Sequence, residues 1–290
     1  MNTSTRLKAL LRNRSDKANT KAEILLRTYL FERFLERVSV SNYKQHFILK
    51  GGMLISAMVG INARTTMDMD ATLLGKTLTS QEIQTIMSTI IRAPINDNIA
   101  FVIHGIEEIR EEADYPGYRV SVAASYGKTR QALKIDITTG DPVTPSAIEY
   151  KYKLMFEDRY INIMAYNTET VLAEKFETII TRGIANTRMR DFYDIYILTT
   201  TQIFDINSFK AALYKTVDRR GTVKSLADMF ETIQEITQSS IMLNLWQRYR
   251  LKYNYATTMT WEMITDSVNQ LAQKVAPLNG NNPDDGDNKK

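Results

Sequence analysis

The sequence predicts an α+β protein, in which a mixed β-sheet with flanking helices is followed by a helical domain. Segments of strand length with alternating apolar and polar residues recur between residues 47 and 166, and amphipathic segments of helical period precede and separate them. From residue 200 onward the pattern is helical, and glycine occurs only at Gly221 before the last residues. We therefore divide the chain into an N-terminal helical segment (1–40), a core (41–200), a C-terminal helical domain (201–277) and a disordered tail (278–290).

The composition is that of an ordinary globular protein. The 290 residues are 43% hydrophobic and 24% charged, which is enough to bury a sizeable core. The chain has no cysteine, which excludes disulfides and thiolate metal sites, and its two histidines are too few for a histidine-rich zinc site. Because no apolar segment is long enough to span a bilayer and no signal-peptide pattern is present, we expect a soluble cytoplasmic protein without a membrane partner. The net charge of +4 permits a nucleic-acid partner without requiring one.

A glycine turn lies at the centre of the predicted core. The apolar residues 47–49 are followed by Lys50-Gly51-Gly52 and then by the apolar residues 53–59, whose length suits a short helix. Paired glycines allow a backbone to approach a phosphate closely, and a helix that begins there presents its N–H groups to the phosphate. The turn is therefore a candidate phosphate-binding site.

Apolar and acidic residues alternate in the segment Met67-Asp68-Met69-Asp70-Ala71. On a strand, Asp68 and Asp70 share one face while Met67, Met69 and Ala71 face the core. Adjacent carboxylates repel each other, and a hard divalent cation with its preference for oxygen ligands explains why they are kept. The alternative is a solvated strand edge beside an ordinary glycine turn, but the combination with Lys50 and Arg64 favours a metal site.

These segments resemble the start of the nucleotidyltransferase fold of the DNA polymerase β type, which has an hG[GS] turn, a spacer and then [DE]h[DE]h. In detail they are most similar to the AbiEii/AbiGii toxin family, with its L-K-G-G and R-x-[ST]-x-D-x-D motifs. The matching residues are Leu49-Lys50-Gly51-Gly52 and Arg64-Thr65-Thr66-Met67-Asp68-Met69-Asp70. The spacer before Asp68 is longer than in many polymerase-β-type enzymes. The resemblance implies a polymerase β-like nucleotidyltransferase sheet in the core.

The resemblance extends to later residues. Polymerase-β-type enzymes carry a third acid in an h[DE]h strand, which matches Ile135-Asp136-Ile137, although a polar residue on the open face of a strand is the alternative. In the AbiEii-like family a helix with A-E-K and a following [KR]-D-x-Y-D segment complete the site. This carries over to Lys175 and Asp191, with Asp194 as the competing aspartate. Otherwise Glu174 and Asp194 are interpreted as charges on a helix surface.

The resemblance implies the toxin of a bacterial toxin–antitoxin or abortive-infection system with a role in antiviral defence. Such a toxin is a Mg²⁺-dependent nucleotidyltransferase that moves NMP from an NTP, either GTP or a pyrimidine NTP, to an acceptor hydroxyl at the 3′ end of tRNA or another RNA. A cognate antitoxin encoded nearby would act indirectly. The implied catalytic residues are Asp68, Asp70, Asp136, Lys175 and Asp191. The three acids Asp68, Asp70 and Asp136 would hold the metal, and the nucleotide would be bound by Lys50, Gly51, Gly52, Arg64, Thr66 and Lys175.

Two other functions remain open from the sequence. One is a nucleotidyltransferase that modifies a protein or a small molecule such as an antibiotic. The other is a catalytically silent nucleotide-binding module that acts as a partner protein, although intact acids at Asp68, Asp70 and Asp136 argue against it because a silent module does not need them.

Two basic regions outside the motifs have alternative interpretations. Residues 1–20 contain five basic residues, namely Arg6, Lys8, Arg12, Arg14 and Lys17, and we favour a solvated helix over an RNA contact. Near residue 250, aromatic and basic residues interleave: Trp246, Arg248, Tyr249, Arg250, Lys252 and Tyr253. There we favour a buried aromatic stripe with basic flanks over a surface that binds single-stranded RNA.

Overall fold

The computed structural model describes residues 3–18, 20–75, 79–109 and 117–275, so the predicted tail at 278–290 lies outside the described residues. The predicted α+β class is confirmed by a seven-stranded mixed sheet with helices around it and further helices after the last strand. None of the described helices is both long and apolar enough to cross a membrane.

The sheet has the strand order β3-β4-β5-β2-β1-β7-β6. The strands are β1 (Phe47–Lys50), β2 (Met69–Leu73), β3 (Ile99–Ile109), β4 (Gly117–Tyr126), β5 (Thr129–Thr138), β6 (Ile148–Lys153) and β7 (Tyr160–Ala165). β2 is parallel to β5 and β1 is parallel to β7, and the other neighbours are antiparallel. This register pairs Asp70 with Lys50 on one side and with Asp136 on the other, so the predicted acids meet at the centre of the sheet.

Helices precede, separate and follow the strands. They are α1 (Thr3–Ala18), α2 (Ala22–Val40), α3 (Gly51–Val59), α4 (Ser80–Ile91), α5 (Thr168–Arg182), α6 (Met189–Thr201), α7 (Ile206–Arg219), α8 (Lys224–Ala227), α9 (Met229–Gln238), α10 (Ser240–Lys252) and α11 (Trp261–Val275). Side-chain caps are present at several of these starts, including those of α4 and α5. The Thr79 hydroxyl accepts the Glu82 N–H in a capping box, and the Asn167 side chain accepts the Thr170 N–H.

The hydrophobic core lies between the sheet and the helices. On α2, Phe34 contacts Phe47 of β1 and Phe101 of β3 edge-on, with ring centroids 5.8 and 6.1 Å apart. Arg37 on the same helix is buried and donates to both carboxylate oxygens of Asp97 at 2.6 and 2.8 Å. These contacts fix α2 against the sheet.

The C-terminal helices pack directly on the helices of the core. α7 lies against α5, and α11 lies against α6 and α9. The ring of Phe192 on α6 is 5.5 Å from that of Trp261 at the start of α11, and Trp246 on α10 is 6.2 Å from Trp261. The C-terminal helices can therefore supply residues to a site formed by the core, although the division at residue 200 remains a prediction.

Candidate active site

Most of the predicted site residues line a single cavity of about 550 Å³ at the centre of the sheet. Its walls come from the β1–α3 turn, β2, β5, α5, α6 and α10. The predicted residues among them are Gly51, Gly52, Arg64, Thr66, Asp68, Asp70, Asp136, Lys175 and Asp191. Residues separated by more than a hundred positions in the chain are thus brought to one place.

The two glycines allow the start of α3 to approach the acids. Gly51 has φ +65°, and a Cβ atom placed there would lie 2.2 Å from Oδ2 of Asp70. At Gly52 a Cβ atom would lie 2.8 Å from Oγ1 of Thr66 and 3.2 Å from Nη2 of Arg64. A side chain at either position would therefore displace a predicted site residue, which explains why the turn has two glycines.

The acid pair differs in detail from the prediction. Asp70 lies on β2 and is half-buried, whereas Asp68 is exposed and immediately precedes β2, which begins at Met69. The prediction that Met67 faces the core beside Met69 is wrong. Because the strand begins only at Met69, the alternation does not extend back to Met67, which is half-buried and lines a different cavity.

Burial, with a contribution from neighbouring carboxylates, disfavours the charged form of Asp70. Burial raises the pKa of Asp70, the carboxylates of Asp136 and Asp68 add to the rise, and the ammonium groups of Lys50 and Lys175 oppose it. Within the described ranges, no three acidic or histidine side chains form a preformed metal cluster. The acids thus line the cavity without forming a closed metal cage.

The third acid is paired with an arginine that the motifs do not include. Arg119 on β4 lies opposite Asp136 on β5 in the antiparallel register. Its Nε and Nη2 atoms donate to the two oxygens of Asp136 at 2.8 and 2.7 Å, which is a bidentate ion pair. Asp136 therefore faces the cavity in a fixed orientation, and only the cross-strand pairing could have identified Arg119.

A second group of charges joins α5, α6 and the segment before β2. Lys175 Nζ donates to Asp191 Oδ1 at 2.5 Å and lies 3.2 Å from Asp194 Oδ2. Arg64 donates to Asp194 through Nε at 2.6 Å and through Nη2 at 3.1 Å. Both aspartates of the α6 motif therefore contact Lys175, and the interpretation of Asp194 as a surface charge is wrong because its side chain is 0% exposed.

The charges in this group stabilise one another. Burial alone would lower the pKa of Lys175, but the carboxylates of Asp191 and Asp194 raise it above its ordinary value. Burial would raise the pKa of Asp194, but Arg64 and Lys175 outweigh burial and hold it below its ordinary value. Lys175 and Asp194 are therefore charged near neutral pH, and Lys175 presents a fixed positive charge at the cavity wall.

Lys50 belongs to a different group of charges, behind the cavity. Its Nζ donates to Asp141 Oδ2 at 2.6 Å and lies 3.4 Å from Glu174 Oε1, which is itself 3.5 Å from Arg220. Among the described residues, Lys50 is not one that lines the cavity. The interpretation of Glu174 as a surface charge is also wrong, since it is half-buried between two cations.

Several residues outside the predicted motifs also line the cavity. These residues are cationic or aromatic, and they lie at the start of α6 and around the end of α10. They are Arg188, Arg190, Arg248, Tyr249, Lys252 and Tyr253. Arg190 Nη2 donates to the Tyr253 hydroxyl at 3.0 Å. Trp246 is fully buried, as the aromatic-stripe interpretation expected, but its neighbours Arg248 and Lys252 are exposed at the cavity. The interleaved pattern near residue 250 was the available signal.

Two of the solved structures to which this fold is similar come from Helicobacter pylori and Paracoccidioides brasiliensis. JHP933 from Helicobacter pylori is 15% identical with a TM-score of 0.48, and the alignment covers 88% of this chain and 92% of that one. An antigenic nucleotidyltransferase-like protein from Paracoccidioides brasiliensis is 14% identical with a TM-score of 0.39, covering 70% and 90%. No curated protein matches the sequence.

A family comparison covers most of the chain. Residues 33–271 match the family described as nucleotidyl transferase AbiEii toxin, type IV toxin–antitoxin system. This range contains the glycine turn, the three acids, Lys175 and both aspartates of α6, and it extends through α10 into α11. The chain therefore belongs to the AbiEii nucleotidyltransferase toxin family of type IV toxin–antitoxin systems.

Proposed function

We propose that the cavity transfers a nucleotidyl group from an NTP to an acceptor hydroxyl at the 3′ end of tRNA. One observation carries this proposal: Asp68, Asp70, Asp136 and Lys175 line the same cavity as the Gly51-Gly52 turn, although they come from separate elements. Acids for a divalent cation, a backbone turn for phosphates and a fixed cation are together what nucleotidyl transfer requires.

The acids fit Mg²⁺ as the metal. Mg²⁺ is usually bound by one or two carboxylates and completed by water and substrate phosphates rather than by a closed protein cage. This mode of binding agrees with described acids that line the cavity without forming a preformed cluster. It also agrees with the raised pKa of Asp70, which is caused by burial and by neighbouring carboxylates. Asp68, Asp70 and Asp136 would hold the ion. When bound, Mg²⁺ neutralises phosphate charge and polarises the phosphorus that is attacked.

The triphosphate is assigned to the wall beside the glycine turn. The N–H groups at the start of α3, at Gly51 and Gly52, can donate to phosphate oxygens, and the Thr66 hydroxyl lies beside them. Arg64 and Lys175 supply positive charge from the same wall. Lys50 was expected to contact the triphosphate directly, but its ammonium is engaged by Asp141, so we assign it the support of Asp70 from behind.

The transfer step needs one proton acceptor from the protein. The acceptor hydroxyl gives its proton to the Asp136 carboxylate while its oxygen attacks the α-phosphorus. The bond from that phosphorus to the oxygen that bridges it to the β-phosphate breaks, and pyrophosphate leaves. Lys175 stabilises the charge that moves toward the pyrophosphate, and Asp191 holds Lys175 in place at 2.5 Å. Arg119 holds Asp136 in place through its bidentate ion pair, as Asp191 holds Lys175.

The toxin would act in the bacterial cytoplasm and block growth, for example during phage infection. By family resemblance the NTP is GTP or a pyrimidine NTP. The antitoxin would be encoded nearby and act indirectly, without covering this cavity.

The direct test is incubation of the purified protein and MgCl₂ with each of the four α-³²P-labelled NTPs and purified tRNA. We expect one or two NTPs to label the tRNA 3′ end, and we expect EDTA or Asp70→Asn to abolish the labelling. Parallel reactions with a protein lysate and with aminoglycosides examine the other acceptors. Labelling of protein or drug but not of tRNA would contradict the acceptor, and no labelling in any reaction would contradict the enzyme activity.

A further inference from the structure

We propose that a second cavity beside the active site, together with one side of α1, binds the end of the RNA acceptor. The second cavity receives a nucleobase next to the reacting 3′ end, and α1 contacts the phosphates that follow. This inference rests on the proposed function, because it requires an acceptor that carries bases and phosphates.

The second cavity has a volume of about 380 Å³ and adjoins the active-site cavity. Lys252 and Tyr253 line both cavities, so a chain that leaves the first cavity past these two residues enters the second. Residues at the start of α2, before β2 and after α10 complete its wall; they are Thr20, Lys21, Glu23, Ile24, Asn62, Thr65, Met67, Asn254 and Tyr255.

The lining of the second cavity suits a nucleobase. The rings of Tyr253 and Tyr255 stack with centroids 5.4 Å apart and an interplanar angle of 27°, and Ile24 and Met67 add apolar surface. Asn62 brings an amide group to the same wall. Single-stranded RNA is bound in this way, by aromatic platforms for bases with nearby amides and cations.

The charges favour an anionic ligand at the outer side of the second cavity. Lys21 and Lys252 lie on its wall with a single acid, Glu23, and that carboxylate is 3.1 Å from Arg27. A third cavity continues outward past Lys21 to Ser15 and Asp16 on α1. The three cavities therefore form a row from the acids to the N-terminal helix.

One side of α1 extends this row. At 3.6 residues per turn, Lys8 and Arg12 lie on the same side of the helix as Ser15 and Asp16, which reach the third cavity. Leu7 and Leu11 hold the helix against the protein, and both basic side chains are exposed. Arg6 and Lys17 are also exposed but point roughly 150° away from that side. The same helix therefore offers a pair of basic residues on the proposed path and a matched pair off it.

The first experiment compares these two pairs. The double variants Lys8→Gln/Arg12→Gln and Arg6→Gln/Lys17→Gln remove the same charge from the same helix. Binding of a fluorescein-labelled tRNA transcript with a 3′-deoxy end is measured by anisotropy over a range of KCl concentrations. We expect the first pair to weaken binding on the order of tenfold at low salt and to reduce the slope of log Kd against log salt by about 2, with the second pair near wild type.

Equal effects of the two pairs would overturn the role of α1, because they would indicate general attraction by positive charge. Unchanged binding by the Lys8→Gln/Arg12→Gln variant would also overturn the role of α1 in RNA binding. This is the result expected if this face of α1 binds a protein. The increase in melting temperature caused by Mg²⁺ and NTP should be the same in all variants, which separates acceptor binding from nucleotide binding.

The second experiment closes the second cavity. Ile24 is half-buried on α2 and lines that cavity but not the first, so Ile24→Trp fills it while Ile24→Leu leaves it open. Each variant is tested with tRNA that carries its single-stranded 3′ end and with tRNA trimmed to the end of the acceptor helix. We expect wild type and Ile24→Leu to bind the untrimmed tRNA several-fold more tightly, and Ile24→Trp to lose this preference.

A preference retained by a folded Ile24→Trp variant would overturn the base-binding role of the cavity. If wild type does not bind tRNA at all, the whole inference fails. If tRNA binds as expected but no NTP is transferred, the acceptor path stands and the proposed reaction fails, so the two failures can be told apart.

Discussion

Lys50 and Lys175 both lie close to Asp70, and each contacts two carboxylates. Lys50 contacts Asp141 and Glu174, and Lys175 contacts Asp191 and Asp194. Only Lys175 also lines the cavity with the glycine turn; its side chain is 20% exposed, against 6% for Lys50. The difference indicates that one lysine can contact a substrate while the other supports the fold.

The partners of the two lysines support the same conclusion. Without Lys50, Asp141 would keep an accepted hydrogen bond from Thr138 at 2.7 Å, but the ammonium charge that faces it would be lost. Without Lys175, Asp194 would keep its two hydrogen bonds from Arg64, and Asp191 would lose an ion pair at the cavity wall. Removing one partner of an ion pair costs more when less water reaches the charge that remains, and the Asp141 side chain is 1% exposed against 8% for Asp191. Lys50 should therefore matter more for stability and Lys175 more for turnover.

The largest effect on turnover is expected for Asp70→Asn. This change removes a proposed metal ligand beside both lysines. It should raise the barrier for transfer by several kcal/mol, which lowers the rate on the order of 10³-fold. The melting temperature should stay the same or rise, because the repulsion by Asp68 and Asp136 is relieved. Turnover is measured with labelled NTP and toxicity by growth of a bacterial host. Full growth inhibition by folded Asp70→Asn would rule out the metal role.

The next largest effect concerns Lys175 and its nearest partner. Lys175→Ala should lower turnover by about 10²-fold, because a preorganised charge at the leaving group is lost. The helix should persist, since alanine favours helices. If Asp191 acts by holding Lys175, Asp191→Ala should give a comparable loss, and the double variant should be little slower than either single variant.

Losses that multiply in the double variant would instead mean that Lys175 and Asp191 act independently. Near-normal turnover of Asp191→Ala with a defect in Asp194→Ala would assign the main role to Asp194. The melting temperature of Asp194→Ala must be measured too, because this variant leaves Arg64 without its carboxylate.

An intermediate effect is expected at the glycine turn. Gly51→Ala places a Cβ atom against Asp70, whereas Gly221→Ala places one where no atom lies within 4 Å. Both glycines have φ +65°, so both variants carry a similar conformational cost of roughly 1–2 kcal/mol. In Gly51→Ala alone, the new Cβ atom should displace Asp70. If this raises the activation barrier by at least 1.4 kcal/mol, turnover falls about tenfold or more. Equal losses in the two variants would show that only backbone strain matters.

The smallest effect on turnover is expected for Lys50→Met. We expect turnover within about threefold of wild type at a temperature where the variant is folded, since a change of 0.6 kcal/mol in barrier gives about that factor. The stability should fall by about 3–5 kcal/mol because the buried Asp141 carboxylate loses the ammonium group that donates to it at 2.6 Å. Urea unfolding measures the second quantity. If Lys50→Met is stable but its turnover is greatly reduced, Lys50 contacts the triphosphate, as the sequence predicted, and does not act mainly on stability.

The sequence predicted which residues line the cavity better than it predicted the contacts that they make. The alternation around Asp136, the glycine turn and the helix with Lys175 were all identifiable, because strand and helix periods are local properties. The pairing of Arg119 with Asp136 depends on which strands become neighbours, and a local pattern carries no information about that.

The same limit applies to the direction in which charged side chains point. Lys50 precedes the glycine turn, where a phosphate contact was expected, yet the parallel pairing of β1 with β7 places it near Tyr166, and its ammonium donates to Asp141 after β5. Arg248 and Lys252 reach the cavity because α10 packs beside α6, while Trp246 of the same helix faces the core. These outcomes follow from the packing of distant elements, which the sequence pattern does not encode.

The most direct test of the difference between the two lysines is the stabilisation of the folded protein by Mg²⁺ and the preferred NTP. The melting temperature is measured with and without the ligands for wild type, Lys50→Met and Lys175→Met. At an NTP concentration of about 100 times Kd, ligand binding stabilises the folded state by about 2.7 kcal/mol. We expect Lys50→Met to start from a lower melting temperature but to show the full ligand-induced increase, and Lys175→Met to lose most of it. A full increase in Lys175→Met together with none in Lys50→Met would contradict the account, as would the absence of any increase in wild type with all four NTPs.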